Sequence, residues 1–131
     1  MSVIPSLFAG LAQLQALANY IDQGSNNATL VFYDDSKPSS TLIDSYESAR
    51  LVSLSLPKPC LRAVNVNSIS LEPTEAGTVI KTGTAIWARL INGNGDTVAD
   101  FSVGADITLN SADMVLGGTV SISAITFTPT T

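Results

Sequence analysis

Histidine is absent from this chain, cysteine and tryptophan occur once each, and only 13% of the residues are charged. Each shortage excludes something. Without histidine, Cys60 has no imidazole to activate it, so a Cys–His nucleophile is impossible. A lone cysteine has no internal disulfide partner either. Set between Pro59 and Leu61, it reads as a quiet, buried thiol. The cations are few and scattered: Lys37, Arg50, Lys58, Arg62, Lys81 and Arg89. Sequence-general nucleic-acid binding needs clustered cations, so this spacing and a net charge of −5 exclude it. No apolar run approaches the ~20 residues of a membrane-spanning helix. No positive stretch precedes the N-terminal apolar segment, so a secretory signal is not expected.

What remains is a chain of 131 residues, 45% of them hydrophobic. That length suits one compact domain over 1–131. Such a domain buries about two thirds of its unfolded surface and needs no metal or disulfide to fold. So low a charge density leaves two readings of the exterior. It is neutral and polar, rich in Ser, Thr and Asn, or it is covered by other subunits.

One helix is legible, over about residues 6–23. Leu7, Phe8, Leu11, Leu14, Leu17, Ala18 and Ile21 fall at helical spacing, with Ser6 as N-cap and Gly24 just past the end. Strands follow over about residues 28–128. Ala28–Tyr33 is continuously apolar and reads as buried on both faces. The polar stretch from Asp34 to Glu47 reads as an exposed loop, with Leu42 and Ile43 as anchors. In Arg50–Leu56, Val52, Leu54 and Leu56 share one face and Ser53 and Ser55 the other; Pro57 and Pro59 end the strand. Thr84–Ile91 is an apolar strand, and Thr97–Val103 alternates back after the turn Asn92-Gly93-Asn94-Gly95. The alternation slips phase within Ala63–Leu71 and again within Thr119–Phe127, which predicts a bulge in each. The fold class expected is mainly β: an antiparallel sandwich or flattened barrel with one N-terminal amphipathic helix.

Candidate chemistry is thin. Asn92 to Asp96 spaces its oxygens like a calcium loop but lacks the carboxylates and late Glu, so a hairpin is the better reading. Asp34, Asp35, Asp44 and Glu47 share a loop, and Glu72 and Glu75 flank Pro73. A glycosidase-like acid pair would need a cleft that nothing in the sequence builds. Asp106 follows Gly104 at the mouth of a short strand, where a carboxylate fixes a turn by accepting backbone N–H groups. Trp87 and Arg89 lie two residues apart on one strand face. They form a cation–π pair or an interface anchor, or simply a core Trp beside a surface Arg. No catalytic, cofactor-binding or metal-binding set is expected.

Gly83-Thr84-Ala85, Trp87, Arg89, Gly95, Val98, Asp100, Val103-Gly104, Ala105–Asn110, Gly118 and the alternating Val120–Phe127 form one string. Together with Ile21-Asp22-Gln23-Gly24 and Tyr33-Asp34, it resembles a family of small virion proteins of tailed bacteriophages and prophages, found among head genes. Leu56–Leu61 and the short link before Asp106 depart from the family pattern. The resemblance implies a non-enzymatic minor capsid or decoration protein on the head exterior, made in the bacterial cytoplasm. It implies the major capsid protein and further copies of the chain as partners, with a trimer as the usual assembly. A tail-associated module that binds a receptor or carbohydrate is the alternative, and it would use Trp87.

Overall fold

The computed structural model describes residues 4–107, 109, 111–123 and 125–129. Among the described residues 34% are strand and 15% helical, so the fold is mainly β: four antiparallel sheets, one N-terminal α-helix and a short 3-10 turn over Glu47–Ala49. Helix α1 spans Leu7–Ile21. The strands are β1 (Thr29–Tyr33), β2 (Arg50–Ser55), β3 (Leu61–Val64), β4 (Ile69–Leu71), β5 (Gly77–Thr78), β6 (Gly83–Thr84), β7 (Trp87–Ile91), β8 (Thr97–Ser102), β9 (Asp113–Met114), β10 (Thr119–Val120) and β11 (Ile125–Phe127). The main sheet has the order β2-β1-β7-β8, and a second has the order β11-β4-β3. Two short pairs, β10-β5 and β6-β9, complete the set.

Helix α1 begins where the sequence predicts. The Ser6 side chain accepts a hydrogen bond from the Ala9 N–H (3.2 Å), satisfying one orphan donor of the first turn. The helix is capped at Asp22, and the chain reverses at Gly24, φ 105°. Leu11, Ala18 and Ile21 face the core, with Leu7, Leu14 and Leu17 packed beside them. Phe8 does not belong to this stripe and is 82% exposed. It stands 100° of helical turn from Leu7, and the buried stripe is too narrow to include it.

One core joins helix and sheets. Leu30, Phe32, Leu54 and Leu90 of the main sheet meet Ile69 and Leu71 of the second and Leu11 and Ile21 of the helix. The turn that ends the helix and the link that leads into β3 are tied further: the Cys60 N–H donates to Asp22 Oδ1 (2.9 Å), and the Lys58 ammonium donates to the Gly24 carbonyl. Strand β1 is buried on both faces, because a smaller apolar cluster of Val31, Tyr33, Ala49 and Trp87 covers its other side.

Neither phase slip is a bulge within one strand. The first is a hairpin. Strands β3 and β4 pair antiparallel around Asn65–Ser68, where the Asn65 N–H donates to the Ser68 carbonyl (2.7 Å). The second is a change of sheet: β10 pairs with β5, and β11 pairs with β4. Between them Thr74 clamps Ile122, its N–H donating to the Ile122 carbonyl and its hydroxyl accepting from the Ile122 N–H (both 2.9 Å). Ala124, within the second slip, lies outside the described residues. Register irregularities sit beside the first slip, where Arg62 is an extra residue between Leu61 and Ala63, and in the main sheet, where Val98 is extra between Thr97 and Ala99. Phe32 pairs with Val52 but Tyr33 with Arg50, so Leu51 is an extra residue, and Leu51 and Val52 are both fully buried.

The 34–47 segment is a loop as expected, but its apolar residues do not anchor it. Leu42 is 92% exposed, and Ile43 is exposed as well. The anchors are polar and are described next.

Candidate functional site

The main sheet has two faces, and side-chain alternation assigns each residue to one of them. The Phe32–Ala88–Phe101 row points into the main core, and the Tyr33–Trp87–Ser102 row points the opposite way. That second face carries the buried ion pair. Arg89 stands opposite Asp100 across the β7–β8 pair. Its Nε donates to Asp100 Oδ1 (2.7 Å) and its Nη2 to Asp100 Oδ2 (3.1 Å), a two-pronged pair with both side chains buried. The hydrogen bonds to Asp100 raise the guanidinium further above its ordinary range, against the opposing effect of burial. Arg89 is therefore a permanent buried cation. Its Cζ lies 5.2 Å from the Trp87 ring centroid.

Trp87, 1% exposed, stacks on Tyr33 with ring centroids 4.5 Å apart and planes 19° apart. The loop after β1 then folds back over this face like a strap, and two hydrogen bonds hold it. Trp87 Nε1 donates to Asp35 Oδ1 (2.7 Å), and the Tyr33 hydroxyl bonds the Ser45 hydroxyl (2.9 Å). Beneath the strap lies a cavity of about 270 Å³, with Trp87, Asp35, Lys37, Ile43, Asp44 and Tyr46 in its lining. Tyr46 is the exposed aromatic at this site.

The sequence candidates thus land as follows. Trp87 and Arg89 share a face and form the cation–π pair, and Arg89 is not a surface residue. Both side chains are occupied within their own chain. Asp34 and Asp35 serve different partners: Asp34 meets the Lys81 ammonium (2.8 Å), and Asp35 meets Trp87. Glu47 pairs with Arg50 (3.3 Å) on the surface. Asp34, Asp35 and Glu47 each hold structure through a different partner, while Asp35 and Asp44 both line the cavity beneath the strap.

Asp106 accepts the Ser102 N–H (2.8 Å) and fixes its turn as expected. Asn92 closes the hairpin, its side-chain oxygen accepting from the N–H groups of Asn94 (3.1 Å) and Asp96 (3.0 Å). Among the described residues, no three metal-ligating side chains gather. Cys60 is buried, and burial, with Asp22 beside it, pushes its thiol up to about 12. It is unreactive at neutral pH.

Asp100 is the residue that sequence reasoning missed. Its signal was present: an acid and a base at nearly equal distances from the Asn-Gly turn face each other when the hairpin closes. Comparison with family models, with curated proteins and with solved structures returns no match.

Proposed function

We propose that this chain is a structural protein of a tailed-phage virion, seated on the head exterior against the major capsid protein and further copies of itself. One observation carries the reading: the exterior combines very little charge with large apolar side chains held out in solvent. Helix α1 has no charged residue, and its outer face presents Phe8, Ala12, Gln15, Ala16 and Asn19. Ile4, Leu42, Val66, Val115 and Leu116 are also strongly exposed. Surfaces of this kind are comfortable when neighbours cover them. The sequence resemblance over Gly83–Phe127 supports the same role. So does the use of the buried charged groups for rigidity: Arg89 and Asp100 brace the sheet and are not free to react.

The cavity beneath the strap carries the second reading, a tail-associated carbohydrate-binding module. Carbohydrate stacking needs an open aromatic face. Trp87 offers almost none, which leaves Tyr46 alone in that part.

Mass spectrometry of gradient-banded particles from the producing host tests the first reading. The expected result is this chain at a fixed stoichiometry to the major capsid protein. Particles that lack it would overturn the proposal. Glycan-array binding that Tyr46→Ala abolishes would favour the second.

A further inference from the structure

Two Asn-Gly dipeptides stand side by side at the tip of the β7–β8 hairpin, Asn92-Gly93 and Asn94-Gly95, and the chain has no others. Asparagine followed by glycine invites a spontaneous reaction of the backbone. The amide nitrogen of the glycine attacks the side-chain carbonyl carbon of the asparagine, and glycine has no Cβ to obstruct the approach. The reaction asks three things of the structure: a side chain free to turn, a following peptide free to rotate, and access for water. The fold supplies them at one dipeptide and withholds them at the other.

Asn92 is 3% exposed, and its side chain is fully engaged. Its Oδ1 accepts from the N–H groups of Asn94 (3.1 Å) and Asp96 (3.0 Å), and its Nδ2 donates to the Tyr20 carbonyl near the end of the helix (3.3 Å). Gly93 is buried, with the carbonyls of Gln23 and Asn26 pressed against it. That peptide cannot rotate without parting the hairpin from the turn after the helix.

Asn94 is the reverse case. It is exposed, and its side chain takes no hydrogen bond among the described residues. Gly95 is exposed too, with nothing within 4 Å of the place where a Cβ would stand. One bond restrains the attacking nitrogen: the Gly95 N–H donates to the Asn92 carbonyl (3.0 Å). A single bond at a hairpin tip opens locally and leaves the strands paired.

We propose that Asn94 is a site of spontaneous deamidation and that Asn92, two residues away, is protected from it. The Gly95 N–H gives its proton to hydroxide, its nitrogen bonds to Asn94 Cγ, and the Cγ–Nδ2 bond breaks. The departing nitrogen takes a proton from water and leaves as ammonia. Water then adds to one of the two carbonyls of the cyclic imide and opens the ring. Position 94 is left aspartyl, or isoaspartyl with the backbone running through the former side chain. One water is consumed and one ammonia released, with no oxidation or reduction. The tip thereby gains a negative charge beside the exposed Asp96, on a chain whose net charge is already −5. This chemistry is independent of the structural-protein reading.

Ageing the folded full chain in mildly alkaline buffer, then digesting it for tandem mass spectrometry, reads both positions in one molecule. Fragment ions separate position 92 from position 94, and chromatography separates the aspartyl product from the isoaspartyl one. In the folded chain Asn94 is expected to convert about tenfold faster than Asn92 or more, since Asn92 reacts only through a larger opening. In urea, where neither set of contacts survives, the two rates should converge. Asn94→Ser, at an exposed position, is expected to abolish modification of the folded hairpin with unchanged thermal melting.

Equal rates at the two positions of the folded chain would overturn the proposal. So would a folded chain that keeps its amide at position 94 while the urea-unfolded chain loses it, because the turn would then protect both. An advantage of Asn94 that persists undiminished in urea would assign the difference to local sequence and would overturn it as well.

Discussion

Arg89 and Asp100 show how a charge becomes affordable inside a sheet. Each would be costly alone, and together they satisfy one another across two strands. Removing one partner strands the other. Asp100→Ala is expected to destabilise the fold by about 3–5 kcal/mol, whereas Arg89→Met with Asp100→Leu recovers most of that loss. Urea titration followed by the fluorescence of Trp87, the sole tryptophan, measures both. Cys60 makes a second prediction at this scale. Its thiol ionises near 9.0 in the unfolded chain but only near about 12 in the fold. Above pH 9 the unfolded chain loses a proton that the native state keeps, so this contribution to stability is intact below pH 9 and declines from 9 towards 12. Denaturation midpoints across that window should fall more steeply for wild type than for Cys60→Ala. A thiol reagent at pH 8 should modify Cys60 only once the chain is unfolded. Cys60 as a buried thiol was legible from its type and neighbours. The burial of the arginine was not, because arginine on a strand usually faces water, although the spacing about the Asn-Gly turn does set Asp100 opposite it.

The elements that the sequence announces are those whose cause is local. Helix α1 has a cap and a 3.6-residue stripe, and the Asn92–Asp96 turn has its own side-chain clasp. Even there, contact between elements sets the details. The left-handed residue of the turn is Gly95, φ 89°, with open space around it. Gly93 is glycine for another reason: a Cβ there would fall on the Asn26 carbonyl oxygen, where the turn after the helix presses against the hairpin. Gly95→Ala is expected to cost about 1–2 kcal/mol, the strain of an L-residue in that region. Gly93→Ala should cost more, because two backbones must separate. Comparing the two melting curves checks the order. The phase slips mislead for a related reason. A bulge, a tight hairpin and a change of sheet all shift the apolar alternation by one, and only the pairing partners distinguish them.

At the scale of the molecule, the main sheet separates two apolar regions: the general core on one face and the Trp87 cluster on the other. Strand β1 lies in the interior of that sheet, hydrogen-bonded to β2 and β7 and buried on both faces. The strap covers the second face with few bonds and an exposed crest. Hydrogen exchange should follow this gradient. The β1 and β7 amides are expected to exchange last, close to the global unfolding limit, and residues 36–46 first. Equal protection of strap and strands would contradict this layout. The Trp87 site was half legible. Trp87 and Arg89 stand out because they are rare residue types on one strand face, but Tyr33, Asp35, Ser45 and Asp100 reach them only through folding.

From the sequence alone come the mainly β class, the N-terminal helix, the hairpin at Asn92–Asp96 and the poverty of reactive groups, since composition, periodicity and turn chemistry act over a few residues. Only the tertiary structure decided which strands pair, that Arg89 is buried, and that Leu42 stands in solvent instead of anchoring its loop. Those outcomes depend on which distant segment arrives to cover a side chain, and no short-range pattern records that.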